Sequence, residues 1–238
     1  MNLIVDIGNT RTKVAVFDVG VLLEQWSFSV LTKDEIAVIK SKYPITRVIV
    51  SQVGAALDYD SLFGDVPYIL LSSALKLPII NQYKTPNTLG ADRIAGVVGA
   101  MELFPNQNNL VIDLGTCITF DFVTKDKEYK GGAILPGISM KFRALNTFTS
   151  KLPLLKPENI DVGIIGNDTQ SSICSGVLNG TCFELEGFVK KYAEMFPPIN
   201  VIFTGGDVVY FEKRVNFSNN VCSNLLLIGL NKILNENE

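Results

Sequence analysis

The sequence has 238 residues, 47% hydrophobic and 19% charged. That supports a large buried core and argues against a disordered chain. A net charge of −3, with no basic run longer than Lys190-Lys191, gives no electrostatic footprint for nucleic acid.

Histidine is absent. This removes Ser-His-Asp hydrolysis, Cys-His proteolysis and HExxH metal chemistry together, and leaves a carboxylate as the first choice of general base. No apolar run reaches the roughly 18 residues of a membrane span, and no signal-peptide pattern is expected. Cys117, Cys174, Cys182 and Cys222 form no CxxC pair and read as buried free thiols in a reducing cytoplasm. At this length two domains are the better expectation.

In chain order, residues 2–6, 12–18 and 21–30 read as three strands, with turns at Gly8-Asn9 and Asp18-Val19-Gly20. A helix over 33–42 is capped by Thr32 with Glu35 three residues on, and Pro44 stops it. Strands follow at 47–51 and 66–71, separated by a short helix over 55–63. Residues 72–89 are rich in turn formers and read as irregular. Ile94, Val97, Val98 and Met101 then give helical spacing over 90–103.

The second half repeats the order. Strands fall at 108–113, 117–124 and 128–135, a helix at 138–149 and a loop over 151–168. A long helix over 169–196 has Thr169 as its simplest N-terminal cap. A strand at 200–204 runs into Gly205-Gly206-Asp207, and helices close the chain. Three strands followed by alternating helices and strands, twice over, predict an α/β fold of two domains with related topology facing a cleft, divided at 107/108.

The residues at the strand ends carry chemistry. In Asp6-Ile7-Gly8-Asn9-Thr10-Arg11-Thr12-Lys13 the glycine admits a phosphate close to the backbone, Thr10 offers a hydroxyl and Lys13 a positive charge. Asp6 suits Mg²⁺ or its water shell. Alone, the stretch reads equally as a plain hairpin, but Asp113-Leu114-Gly115-Thr116 repeats it. Gly205 and Gly206 would let a ring or ribose lie on the backbone, with a helix N-terminus beyond them. Asp92 and Arg93 open a helix, where the acid can take a proton from a hydroxyl and the Arg can hold a carboxylate. The plainer alternative is a first-turn acid beside an exposed Arg. Tyr83 is either a packing residue or a polar handle. Glu184, Glu186 and Asp168 read as solvated acids.

Together, Asp6-x-Gly8-Asn9-Thr10-x-x-Lys13, Tyr83-x-x-Pro86, Leu89-Gly90-Ala91-Asp92-Arg93, Asp113-x-Gly115-Thr116, Gly131-Gly132 with Pro136-Gly137, and Thr204-Gly205-Gly206-Asp207 resemble the type III pantothenate kinases. These belong to the superfamily of acetate kinases, sugar kinases and actin, and the resemblance spans essentially the whole chain. One departure is Ser51-Gln52-Val53-Gly54, where the family often carries a proline.

The resemblance implies two ribonuclease H-like, actin-like ATPase domains, 1–107 and 108–238. It implies transfer of the γ-phosphoryl group of ATP to the terminal hydroxyl of pantothenate, with Mg²⁺ and a monovalent cation, K⁺ or NH₄⁺, in a cytoplasmic homodimer. By position, Asp92 matches the general base and Arg93 the ligand of the pantothenate carboxylate. Tyr83, Gly90 and Ala91 match further pantothenate contacts. Asp6–Lys13 and Thr116 match the phosphate loops, Asp113 the monovalent-cation ligand, and Thr169 a residue reaching the partner's pantothenate site. The alternatives are another small-molecule kinase of the superfamily and a catalytically quiet regulator.

Overall fold

The structure, a computed structural model, describes residues 1–53, 57–156 and 162–237. The expected start of a helix at 55, Gly54 of the departing loop and part of the 151–168 loop lie outside them. The chain forms two compact units. The first holds Met1–Asn106, Val123–Lys130 and Asn224–Glu238, and the second Gln107–Phe122 and Gly131–Ser223.

In the first unit, β1 (Asn2–Ile7) is buried at all six positions, because it lies between an antiparallel and a parallel neighbour. These are β2 (Thr12–Asp18) and β4 (Arg47–Gln52). With β3 (Val21–Phe28) and β5 (Tyr68–Leu70) the sheet order is β3-β2-β1-β4-β5. The edge strand β3 alternates exposed and half-buried residues, as Trp26 and Phe28 predict.

Strand alternation sorts β1 into two faces. Leu3, Val5 and Ile7 join a core with Ile36 and Ile39 of α1 (Lys33–Lys42) and Leu62 and Phe63 of α2 (Tyr59–Phe63). Thr32 and Glu35 close the expected capping box on α1. Asn2, Ile4 and Asp6 take the opposite face, where α7 (Leu225–Glu236) packs on β1 and β4. There the Asn2 side-chain amide donates 2.8 Å bonds to Asn231 and Asn235 of α7.

Helix α3 (Ala91–Leu103) packs against α7 and is buried continuously from Arg93 to Ala100. The two helices meet glycine to glycine. A Cβ on Gly229 would stand 1.9 Å from the Ala95 carbonyl oxygen, and one on Gly99 would stand 2.2 Å from that of Leu225. The 72–89 stretch is not wholly irregular. β6 (Ile80–Asn81) pairs in parallel with Glu128 and Tyr129, a pairing too short to leave a periodicity in the sequence.

The second unit repeats the arrangement. β7 (Asn108–Leu114) lies between β8 (Cys117–Val123) and β10 (Ile199–Thr204), flanked by β9 (Glu128–Pro136) and β11 (Asn220–Val221), in the order β9-β8-β7-β10-β11. Apart from β6 on the outer side of β9, both sheets therefore run third-second-first-fourth-fifth, with β10 parallel to β7 and β11 to β10, as β4 is to β1 and β5 to β4. This is the doubled α/β topology the internal repeat predicts. Leu110, Ile112 and Leu114 face a core shared with Phe142 of α4 (Ile138–Thr147) and with Leu185 and Val189 of α6 (Gly180–Met195).

Four expectations are corrected. β11 replaces part of the expected closing helices, its two residues being too few to show alternation. The 169–196 helix is α5 (Thr169–Cys174) and α6 joined by a π-helical turn over Ser175–Asn179. Its residues Ser175, Gly176 and Asn179 are weak helix formers, and the Ser175 and Asn179 side chains bond back to the loop at Val162–Ile164. The cap of α5 is Asp168, not Thr169. Its carboxylate accepts the Ser171 N–H at 2.8 Å, and Thr169 is the first helical residue. Finally, Cys174 and Cys182 are buried, but Cys117 and Cys222 are only partly so.

Candidate active site

In the first unit the β1–β2 turn is tight. The Gly8 N–H donates to the Arg11 carbonyl at 3.1 Å, and a Cβ on Gly8 would press on that oxygen. Asn9 and Thr10 stand exposed at the tip, while Ile7 and Thr12 are buried in the strands. Arg11 is drawn to β3, donating to the Ser27 hydroxyl at 2.7 Å and the Ser27 carbonyl at 2.9 Å.

Asp6 pairs in register with Lys13 on β2 and with Ser51 on β4. Burial raises its carboxyl from 3.8 to about 6, against the pull of the Ser51 hydroxyl and Lys13 and with a further push from Asp92. The Ser51 hydroxyl lies within hydrogen-bonding reach of the carboxyl and pulls its pKa down, yet Asp6 Oδ1 and Ser51 Oγ do not meet in the geometry of a well-formed hydrogen bond.

A raised folded-state value means that the folded protein holds this proton more tightly than the unfolded chain. Stability from Asp6 is therefore greatest below pH 3.8 and falls as the pH rises to about 6. Asp6→Asn is expected to be more stable than the parent at pH 7.5 in cation-free buffer, by up to about 3 kcal/mol. The advantage should fade toward pH 4. Urea melts of both proteins across that range check it.

Asp92 lies in the first turn of α3, half-buried, and its Oδ1 accepts the Arg93 backbone N–H at 2.8 Å. A Cβ on Gly90 would come within 2.5 Å of that oxygen, so the glycine before the helix leaves the carboxylate its space. Arg93 is not the exposed Arg of the plainer reading. It is 7% exposed, with its guanidinium carbon 5.6 Å from the centre of the Tyr83 ring. Tyr83 in turn stacks on Tyr129 at 6.2 Å and 19°. The stack fixes the planar Arg93 cation on the Tyr83 ring.

In the second unit Asp113 is the last residue but one of β7, in register with Thr204 of β10. Gly205 follows with φ near +99°, and a Cβ there would meet Asp113 Oδ1 at 2.5 Å and the Leu114 carbonyl oxygen at 2.3 Å. Only glycine allows this close approach. The Asp207 N–H fastens the loop to the Leu114 carbonyl at 2.8 Å, and burial lifts the Asp207 carboxyl to about 6. Gly137 donates to the exposed Thr116 at its carbonyl, 3.1 Å away.

A family model described as type III pantothenate kinase matches residues 2–191. A type III pantothenate kinase of Cytophaga hutchinsonii is 44% identical over 237 residues, covering 100% of both chains. The chain belongs to the type III pantothenate kinase family. A second family relative, from Christiangramia forsetii, is 42% identical and covers 100% of this chain and 99% of its own.

Among solved structures, one assigned to the Baf family of transcriptional activators from Campylobacter jejuni has a TM-score of 0.66 at 20% identity, covering 99% of this chain and 98% of its own. The activator of 2-hydroxyisocaproyl-CoA dehydratase from Clostridium difficile, with bound ADPNP, has a TM-score of 0.57 at 12% identity, covering 99% and 95%. At those identities the likeness is one of fold.

Within this family member the first unit brings Asp6, Lys13 and Asp92 into one electrostatic neighbourhood and joins Arg93 to Tyr83. The second brings Asp113 to Gly115 and Gly205. Thr169 stands elsewhere. It is exposed on the wall of a cavity of about 680 Å³ lined also by Leu145, Leu152, Asn167, Ser172 and Ile173. The helix expected beyond Gly205-Gly206-Asp207 is one 3₁₀ turn, Val208–Tyr210, with no developed dipole for an anion.

Glu184 and Glu186 are not idle acids. Glu184 pairs with Lys141, and Glu186 accepts the Asn216 N–H at 3.1 Å. Ser51 and Thr204 stand in stretches the sequence singles out, Ser51-Gln52-Val53-Gly54 and Thr204-Gly205-Gly206-Asp207, but sequence reasoning gave neither a role of its own. Their only signal is a hydroxyl at or near the end of an apolar parallel strand.

Proposed function

We propose that this protein phosphorylates the terminal hydroxyl of pantothenate with ATP, the first step of coenzyme A synthesis, as a cytoplasmic homodimer whose subunits each hold two ribonuclease H-like domains. Family membership supports the reaction. The observation that carries the substrate reading is the Asp92–Arg93 pair at the start of α3, with Arg93 held on Tyr83.

Pantothenate has a carboxylate at one end and a primary hydroxyl at the other. Arg93, with Tyr83, Gly90 and Ala91, takes the carboxylate end, and Asp92 accepts the hydroxyl proton as that oxygen attacks the γ-phosphorus. The bond to the bridging oxygen breaks and ADP leaves. Asp6–Lys13, with its exposed tip, and Thr116, Gly205 and Gly206 hold the nucleotide.

Among the described residues, no three Cys, Asp or Glu side chains gather as a metal site. That donor set fits Mg²⁺ that keeps several waters and leans on one carboxylate and the phosphates, and Asp6 with its unpartnered Oδ1 suits it. Asp113, under the Gly205 backbone, would hold K⁺ or NH₄⁺. When bound, the cations neutralise phosphate charge. Exposed Phe148, Ile164 and Ile165 flank or enter the segments around the Thr169 cavity, which supports a second subunit covering that face and completing its pantothenate site.

A coupled assay of ADP release tests the proposal, run with pantothenate, with sugars, and with K⁺ exchanged for Na⁺. Turnover with pantothenate alone, depressed in Na⁺, is expected. Turnover only with sugars would assign another kinase activity, and none under any condition would favour a quiet regulator. Among the described residues no helix is long and apolar enough to cross a membrane.

A further inference from the structure

Among the described residues, the buried side-chain oxygens without a hydrogen-bond partner are those of Asp6 Oδ1, Ser51 Oγ and Thr204 Oγ1. They do not fall at random. Ser51 is the in-register neighbour of Asp6 across β1 and β4, and Thr204 is the in-register neighbour of Asp113 across β7 and β10. In each unit the Asp lies toward the end of the first strand of the repeat, and the hydroxyl residue at the matching level of the fourth.

Alternation places each pair on one face of its sheet. Val48 and Val50 of β4 enter the α1–α2 core, so Ser51 faces with Asp6 to the other side. Val201 and Phe203 of β10 enter the α4–α6 core, so Thr204 faces with Asp113. Both hydroxyls are fully buried. A buried hydroxyl left unbonded is destabilising, and folded proteins seldom tolerate one without a use. The same tolerance at equivalent positions of two repeats points to one device used twice.

We propose that Ser51 and Thr204 are matched positioning residues, each orienting the carboxylate beside it, Asp6 or Asp113, for its cation. The inference rests on the cation roles given to those two residues above. A hydroxyl has one proton to donate and two lone pairs. It can donate to the carboxylate while accepting from a water of the cation's shell, so that a bound cation draws the hydroxyl and the carboxylate into one fixed arrangement. Partners that hold a metal's ligands in this way typically matter 10- to 100-fold for affinity.

Thermal melts of the full chain in choline buffer, titrated separately with MgCl₂ in the presence of ADP and with KCl, test the device without reference to turnover. Ser51→Ala is expected to raise the half-saturating Mg²⁺ concentration about tenfold, and Thr204→Val that of K⁺ by a similar factor. Cation-free melting temperatures should stay level or rise, because an unpartnered buried hydroxyl has gone. Thr204→Ser, which keeps the hydroxyl, should restore the K⁺ response.

Half-saturating concentrations within about twofold of the parent for both variants would overturn the inference while leaving the cation roles standing. So would a lower cation-free melting temperature with an unchanged cation response, since that marks a purely structural hydroxyl. A parent protein that responds to neither cation would overturn the cation roles, and the inference with them.

Discussion

Asp92→Asn is expected to lower kcat by about 10²- to 10⁴-fold, the range a positioned general base supplies, while the protein stays folded. The two parts of the expectation have separate causes. Asparagine keeps the side-chain oxygen that accepts the Arg93 N–H at 2.8 Å, so the first turn of α3 keeps its bond. It also removes a negative charge that acts unfavourably on Asp6. What it cannot do is accept the substrate proton. Because Arg93 and its stack on Tyr83 remain, KM for pantothenate should change little. The loss should therefore appear in kcat, as expected of an interaction made in the transition state. Steady-state kinetics with a circular-dichroism melt measure both, and near-parental kcat would exclude Asp92 as the base.

The largest stability effect is expected from Gly229→Ala, a substitution that by helix propensity alone should be favourable by about 1 kcal/mol. Here the added methyl would stand 1.9 Å from the Ala95 carbonyl oxygen and 2.8 Å from the Gly99 nitrogen. Those atoms are helix backbone, which cannot rotate away as a side-chain tip can. Helices α3 and α7 must separate, and overpacking of this kind destabilises by about 3 kcal/mol or more.

For a chain of this size that corresponds to a fall in melting temperature of about 6–12 °C. Activity should fall too, because α3 carries Asp92 and Arg93. Melts of Gly229→Ala against the exposed-site control Gly187→Ala, where a Cβ meets nothing within 4 Å, isolate the steric effect. A shift under about 2 °C would show that the crossing has room to spare.

Much of this was legible in the sequence, for identifiable reasons. Three-strand runs with glycine turns, the Thr32–Glu35 box and the helical spacing of Ile94, Val97 and Val98 are local signals, and the elements follow them. The repeat of Asp6-x-Gly8 at Asp113-x-Gly115 forecast the doubled sheet order. Non-local features were not legible. β6 and β11 are two residues each and owe their existence to partners 48 and 18 positions away. Asp168 took the cap from Thr169 because Ser171 could answer it across the turn. At the site, Asp6, Asp92, Arg93 and Asp113 could be singled out by type and order alone. The pairing of Ser51 with Asp6 and of Thr204 with Asp113 emerges only from register, which no single strand reveals.

The packing of α7 on α3 also has a consequence in time. The Asp6–Lys13 turn and its strands β1 and β2 are among the first segments made, whereas the helix that encloses α3 comes roughly 120 residues after it. At about 5–20 residues per second, the α3 face that α7 will cover waits on the order of 6–24 s after its own synthesis. Over that interval a nascent chain can close its β1–β2 turn and set α3 against β4, but it lacks the partner on which α3 crosses glycine to glycine. Until α7 has been made, the helix crossing that buries α3 from Arg93 to Ala100 cannot form.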